Sequence, residues 1–348
     1  MKLSSIILKI VEKMDGQRSL NASLHVLRGK RSGQTIQDVD YFSIKPFFSL
    51  LPKLQESTFL EAVNELNSHE LIIEKQGIIY LTQKGRLASA QLPEFRFDGW
   101  NYRGQIETFN LRLLLLVQTL SQVRLSKNSF LPITNDRNVQ QFIKELLRNL
   151  PATRQKTAAL LAAELQSCIK QSEMSELQAT VISHRLTGAE ASGWTWEQLE
   201  EALEESRNSL QLELLEGLHR IIALSETTDY ARKLPILHKL AEGIRIETPL
   251  TESTVITKKL FDQGLSIDEI AVVRKLRSST IEDHITEIAT NDKDFPILQF
   301  VELIDLEAVQ DEVNRNEVKR LRLLKEKFPH LSYFQLRLIL STAKGERV

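Results

Sequence analysis

Gly264-Leu265-Ser266-Ile267-Asp268-Glu269-Ile270-Ala271-Val272-Val273-Arg274-Lys275-Leu276-Arg277-Ser278-Ser279-Thr280-Ile281-Glu282-Asp283-His284-Ile285 reads as two short helices joined by a tight turn. Ser266 and Glu269 stand three apart at a helix start, the spacing of a capping box. The small Ala271 lets the following helix cross close above the first. Leu276 plugs the turn, Ser279 and Glu282 are placed to cap the next helix, and Ile281 with Ile285 supply its buried i, i+4 stripe. This is the sequence form of a helix-turn-helix. The same fold serves DNA and protein contacts, so it does not decide between them.

Around this segment the chain is 348 residues long, enough for two or three domains. Only 9 Pro and 13 Gly interrupt long Leu/Glu/Gln/Lys-rich tracts, which predicts a mainly helical protein. The net charge of −1 means that any basic surface must be local. The single Cys168 excludes a disulfide framework and a cysteine zinc cluster, and fits a reducing compartment. The opening Met-Lys-Leu-Ser-Ser-Ile-Ile-Leu-Lys lacks a signal-peptide core, and the run Leu113 to Val117 is too short for a membrane span. A cytoplasmic protein with no membrane partner is expected, with association to the nucleoid as an extension of that reading.

Toward the N-terminus, helices are predicted at 4–14 and 20–28, stopped by Gly16 and Gly29, with a polar loop at 30–45. Thr58 and Glu61 read as a capping box opening a third helix. Two β-prone runs then flank Gln76-Gly77, a short hairpin signal. Three helices and a hairpin describe a winged helix over 1–92. Residues 93–247 read as helix after helix, and 248–348 hold the helix-turn-helix, a helix at 306–327 and a closing helix at 332–343. The aromatic residues Phe95, Phe97, Trp100, Tyr102, Trp194 and Trp196 of the middle segment read as core, with Trp194 a staple before the Thr195/Gln198 helix start.

Gly16-Gln17-Arg18 followed by Val26-Leu27-Arg28-Gly29-Lys30-Arg31-Ser32 resembles the winged helix (RQC domain) of RecQ-type DNA helicases. The C-terminal unit, including Tyr333-Phe334-Gln335-Leu336-Arg337-Leu338-Ile339, resembles the helicase helix-turn-helix appended to such enzymes. The combination without motor domains is similar to YpbB-type proteins of Firmicutes. That resemblance implies a detached partner of a short RecQ-like helicase. It covers both ends of the chain, about half its length. This chain departs from the RecQ pattern in lacking the four zinc cysteines, and its hairpin has no aromatic residue at the turn.

No catalytic constellation is legible. Gly-x-x-x-x-Gly-Lys-Ser/Thr, a helicase acidic box, His-Glu-x-x-His and Gly-x-Ser-x-Gly are all missing from the sequence. The expectation is therefore no enzyme, no metal and no cofactor. The candidates that remain bind DNA. Residues 1–90 carry twelve Lys/Arg against nine Asp/Glu, with the excess at Arg28-Lys30-Arg31 and at Lys84-Arg86. Together with Ser32, these side chains suit phosphates, in contacts that are weak, salt-sensitive and indifferent to sequence.

In the helix-turn-helix, Lys258, Arg274, Lys275, Arg277, Ser279 and Thr280 are candidates for DNA or partner contact. There, Glu282 and Asp283 would face phosphate together with Ser279 and Thr286, which argues against base readout. The expected function is a non-enzymatic accessory factor of a RecQ-type helicase in DNA repair or recombination, supplying its modules in trans. A DNA-binding transcription regulator and a structural adaptor without DNA contact are the alternatives.

Overall fold

The structure, a computed structural model, describes residues 2–125, 129–150, 153–246, 250–292, 294–316 and 321–342. From the N-terminus come α1 (Leu3–Met14), α2 (Leu20–Arg28), α3 (Gly33–Tyr41), α4 (Glu56–Ser68), the strands β1 (Ile72–Lys75) and β2 (Ile78–Leu81), and α5 (Gln83–Ala90). The middle holds α6 (Gly99–Tyr102), α7 (Ile106–Arg124), α8 (Arg137–Asn149), α9 (Arg154–Gln171), α10 (Glu176–Arg185), α11 (Trp196–Leu203), α12 (Arg207–Glu226), α13 (Thr228–Ala231) and α14 (Pro235–Ala241). The last segment holds α15 (Glu252–Asp262), α16 (Ile267–Arg274), α17 (Ser278–Asn291), α18 (Leu303–Asn316), α19 (Leu321–Lys327) and α20 (Tyr333–Thr342). The fold is mainly helical, with one two-stranded sheet among the described residues.

These elements form two compact units. One comprises the residues up to Ile6 together with Gln91–Ile246, the other Ile7–Ala90 together with the residues beyond Ile246. Residues 7–90 and the C-terminal segment, far apart in sequence, therefore build one unit. The expected boundary at Thr248-Pro249 lies outside the described residues.

In this second unit, α1 buries Ile7, Ile10, Val11 and Met14 along one face. Gly16 ends it at φ 64°, where an added Cβ would sit 2.3 Å from the Tyr80 ring. Arg18 then grips Asp38 through Nε (2.9 Å) and Nη2 (2.7 Å) and lies over the Phe42 ring. The segment expected to be a loop at 30–45 instead holds α3. Its Thr35, Gln37 and Asp38 are polar but buried: Thr35 bonds Ser32, while Asp38 is held by the more distant Arg18 and Gln37 Nε2 donates to the Arg337 carbonyl, which periodicity alone does not show.

The third helix begins at Glu56 with Gln55 at its N-cap, so Thr58 and Glu61 lie inside it and form no capping box. The hairpin pairs Ile72 with Leu81 and Lys75 with Ile78. Gln76 and Gly77 are both left-handed (φ 53° and 75°), as a type I′ turn demands.

The helix-turn-helix packs Ile270, Ala271, Ile281, Ile285 and Ile288 against Phe295, Phe334 and Leu338. Its capping box is present, with Glu269 N–H donating to Ser266 Oγ and Ser266 N–H to Glu269 Oε2. Helix α17 starts at Ser278 behind Arg277, so Ser279 and Glu282 are not its cap. Buried Glu287 accepts from Thr251 N–H (2.7 Å) and Thr254 Oγ1 (2.6 Å), tying α17 to the start of α15. The helix expected at 306–327 appears as α18 and α19, with 317–320 outside the described residues. The closing helix runs as α20 from the Ser332 cap, and Ala343 is likewise outside them.

The middle unit is organised by α7 and α12. Tyr102, Phe109, Leu113, Leu116, Leu218 and Ile221 form part of its core, and Phe97 and Trp100 are buried with them. Two of its buried polar side chains, His219 and Glu164, are paired with backbone. His219 Nδ1 accepts from Asp98 N–H (2.9 Å), and Glu164 accepts from Ile236 and Leu237 N–H at the start of α14. The Thr195/Gln198 capping box forms, with the Trp194 ring 4.1 Å from that of His184 and tilted 58° to it. Cys168 is fully buried, and burial followed by the Glu164 charge pushes its thiol up to about 12.

Candidate nucleic-acid interface

The first cationic candidates sit where α2 ends. Gly29 adopts φ 70°, and its N–H and that of Lys30 close onto Val26 and His25 carbonyls, a Schellman-type stop. A Cβ on Gly29 would come within 2.4 Å of Ser49. This turn throws Lys30 and Arg31 onto the surface, where both are exposed. Arg28 is half-buried and donates from Nε to the Leu54 carbonyl (2.9 Å), which brings the exposed Lys53 into the same neighbourhood.

Among the described residues no carboxylate pairs with Arg28, Lys30, Arg31 or Lys53. The field of this cluster registers on His25, which falls below its ordinary value through burial first and then through Lys30 and Arg28. Ser32 is not free to meet phosphate. Its hydroxyl accepts from Thr35 N–H as the N-cap of α3 and also bonds Thr35 Oγ1. Lys84 and Arg86 are exposed on α5, with Lys84 4.0 Å from Glu70, and they belong to a separate element.

In the helix-turn-helix the candidates divide into two groups. Arg274 is structural: Nη1 donates to the Ser253 carbonyl (2.7 Å) and Thr257 Oγ1, and Nη2 to Ser253 Oγ, so it clamps α16 onto α15. Lys258 is shared by Asp262 (2.9 Å) and Asp292 (3.8 Å). Lys275, in the left-handed turn at φ 52°, is exposed, as are Arg277 and Ser279, while Thr280 is half-buried. Lys275 and Arg277 have no ion pair among the described residues. Asp268, which accepts from Ser278 Oγ (2.9 Å), puts a carboxylate beside this tip.

Beyond its first turn α17 is enclosed. Four helices pack on it: α15, α16, α20 and α3. Thr286, expected on the outer face, is buried and donates to the Glu282 carbonyl. Asp283 pairs with Arg337 of α20, and Gln37 of α3 donates to the Arg337 carbonyl (3.3 Å). A helix of this kind reads a major groove with its outer face and N-terminal residues. Here the N-terminal tip is open, and beyond it the side chains are buried or, as at Glu282, Asp283 and His284, only partly exposed.

That enclosure also brings the two sets of candidates together. Gly33, the first residue of α3, lies against Asp283: an added Cβ would be 2.7 Å from Oδ1. Arg31 is two residues before Gly33, and Ser279 one helical turn before Asp283 on the same face. Chain geometry then keeps the Cα atoms of Arg31 and Ser279 within about 22 Å, roughly six base pairs of duplex. The spacing of cations along the chain gave no hint of this proximity. The signal that carries it is Gly33, small where two helices meet.

Residues 253–340 match the family described as "Helix-turn-helix domain". This is a helix-turn-helix protein, a class suited to binding DNA. The chain is 30% identical to Protein YpbB of Bacillus subtilis (strain 168) over 348 residues, covering 97% of this chain and 96% of that one. It belongs to the YpbB family. No solved structure matches it. Among the described residues no group of three or more His, Cys, Asp and Glu is placed to hold a metal ion, and no helix is long and apolar enough to cross a membrane.

Proposed function

We propose that this protein is a non-enzymatic accessory factor of a RecQ-type DNA helicase in repair or recombination. It grips DNA backbone with one composite unit and docks the motor in trans, acting in the cytoplasm at the nucleoid. The observation that carries the reading is the packing of α3 on α17. It brings Lys30 and Arg31, which have no carboxylate partner among the described residues, into the same region of the unit as the open tip of a helix-turn-helix, in a chain whose net charge is −1. The resemblance of both ends to modules that RecQ-type helicases carry in cis supports the choice of partner. Cations without carboxylate partners confer affinity for phosphates of any sequence.

The enclosure of α17 speaks against a sequence-reading transcription regulator, because the outer face such a protein presents to bases is buried or only partly exposed. It also favours a second reading, an adaptor whose helix-turn-helix serves packing alone. Co-purification with the host's RecQ-type helicase and unwinding assays at low salt test the first reading. A stable complex or altered unwinding is expected, and neither in a folded preparation overturns it. Changing the exposed Lys30 and Arg31 together to Glu, with the half-buried Arg28 kept, separates the two, since an adaptor is indifferent to that change.

A further inference from the structure

We propose that the cleft at the base of the helix-turn-helix docks a segment of a partner protein in which apolar side chains are flanked by Lys or Arg. The inference stands apart from DNA binding. The cleft encloses about 820 Å³ where the α15–α16 turn, the end of α17 and residues 294–300 meet. Its floor is aromatic. The rings of Phe261, Phe295 and Phe300 stack on one another at 5.8–6.0 Å. Leu298, 59% exposed, is a neighbour in sequence of the lining residue Gln299.

The rim is acidic. Asp262, Asp268, Asp292 and Asp294 line it, and the one ammonium among its described lining residues, Lys258, is divided between Asp262 and Asp292. Among the described lining residues three negative charges are left over an apolar floor. Such a site repels phosphate, so DNA is the wrong occupant. A peptide offering cations at the rim and Leu or Phe to the rings gains on both counts: the charges steer encounter and register, and the apolar anchors supply hold. Asp262, Asp268 and Asp294 are exposed, which leaves the rim open to approach.

The test uses the full chain and a fluorescein-labelled peptide of alternating Lys-Leu-Lys-Phe, read by anisotropy without DNA. The expected result is saturable binding, weakened about ten-fold by Asp262→Lys with Asp294→Lys and lost when the peptide's lysines are replaced by Glu. Glu201→Lys with Glu307→Lys, the same charge change elsewhere, is the control and should leave binding unchanged. Peptide addition should also slow amide exchange at 261–268 and 294–300. Absent binding, equal weakening by the control pair, or no protection at these amides overturns the proposal. Duplex binding measured on the same variants should not fall, and a fall in DNA binding alone would count against the preceding section rather than this one.

Discussion

Asp283 of α17 and Arg337 of α20 form an ion pair directly against Gly33 of α3, so three segments far apart in sequence converge on one point. The arginine side chain is 16% exposed and the aspartate 43%. The pair is neither a surface ornament nor a fully desolvated bridge. Its Coulombic gain therefore lies between those limits. Arg337→Ala should cost about 1–2 kcal/mol and loosen α3 from α17. All three tryptophans, Trp100, Trp194 and Trp196, lie in the other unit, so the change should appear in far-UV circular dichroism during urea unfolding while tryptophan fluorescence stays as in the parent. Equal shifts in both signals would show that the contact is not local to this unit.

The same convergence predicts how DNA affinity responds to charge. Lys30→Glu with Arg31→Glu removes two cations that have no carboxylate partner among the described residues, and Arg277→Glu removes one at the tip of α17. If one backbone runs across both, the logarithmic salt slope should fall by about two for the first variant and about one for the second. Duplexes of unrelated sequence should give the same values. An effect of the first variant without the second confines the grip to the α2–α3 loop. No effect of either removes DNA from the account of this surface.

Acid should weaken the middle unit through His219. The imidazole is buried, accepts from Asp98 N–H, and is lowered by burial to about 3. The unfolded chain binds this proton near pH 6.5 and the folded chain does not. Stability is therefore complete above pH 6.5 and drains away as pH falls toward 3. At pH 5 the deficit is about 2 kcal/mol. Urea midpoints followed by tryptophan fluorescence should drop accordingly between pH 7 and pH 5. His219→Gln should flatten that dependence. Should this variant fold poorly, an NMR titration of the His219 ring in the parent settles the point, since a ring titrating near 6 refutes it.

Local chemistry was legible in the sequence wherever neighbours along the chain decide the conformation. Gln76-Gly77 makes its hairpin, Ser266 and Glu269 their box, and Ile281 and Ile285 their buried stripe. Helix α3 was hidden because its buried Asp38 and Gln37 look like loop residues until Arg18 and the Arg337 carbonyl arrive from 20 and 300 residues away. The candidate site suffered in the same way. Arg28, Lys30 and Arg31 were visible as a cluster, but which cations are committed elsewhere was not. Arg274 is committed to Ser253 and Lys258 in part to Asp292, which only tertiary structure reveals, while Ser32 is engaged locally as the cap of α3, a helix not expected there.

Lys275 links stability and binding in opposite directions. It holds φ 52° at the end of α16, where its N–H closes onto helix carbonyls and any side chain crowds the backbone. Glycine relieves that crowding but gains freedom in the unfolded chain, so Lys275→Gly should stabilise by about 0.5–1 kcal/mol. The same change removes an exposed, unpaired cation beside Arg277. DNA affinity should fall and the salt slope drop by about one even as the urea midpoint of this unit rises. Lys275→Ala is the control: it removes the charge while keeping the strain, so it should lose affinity without gaining stability. If Lys275→Gly gains stability and both variants bind DNA like the parent, the turn is structural and the backbone passes elsewhere.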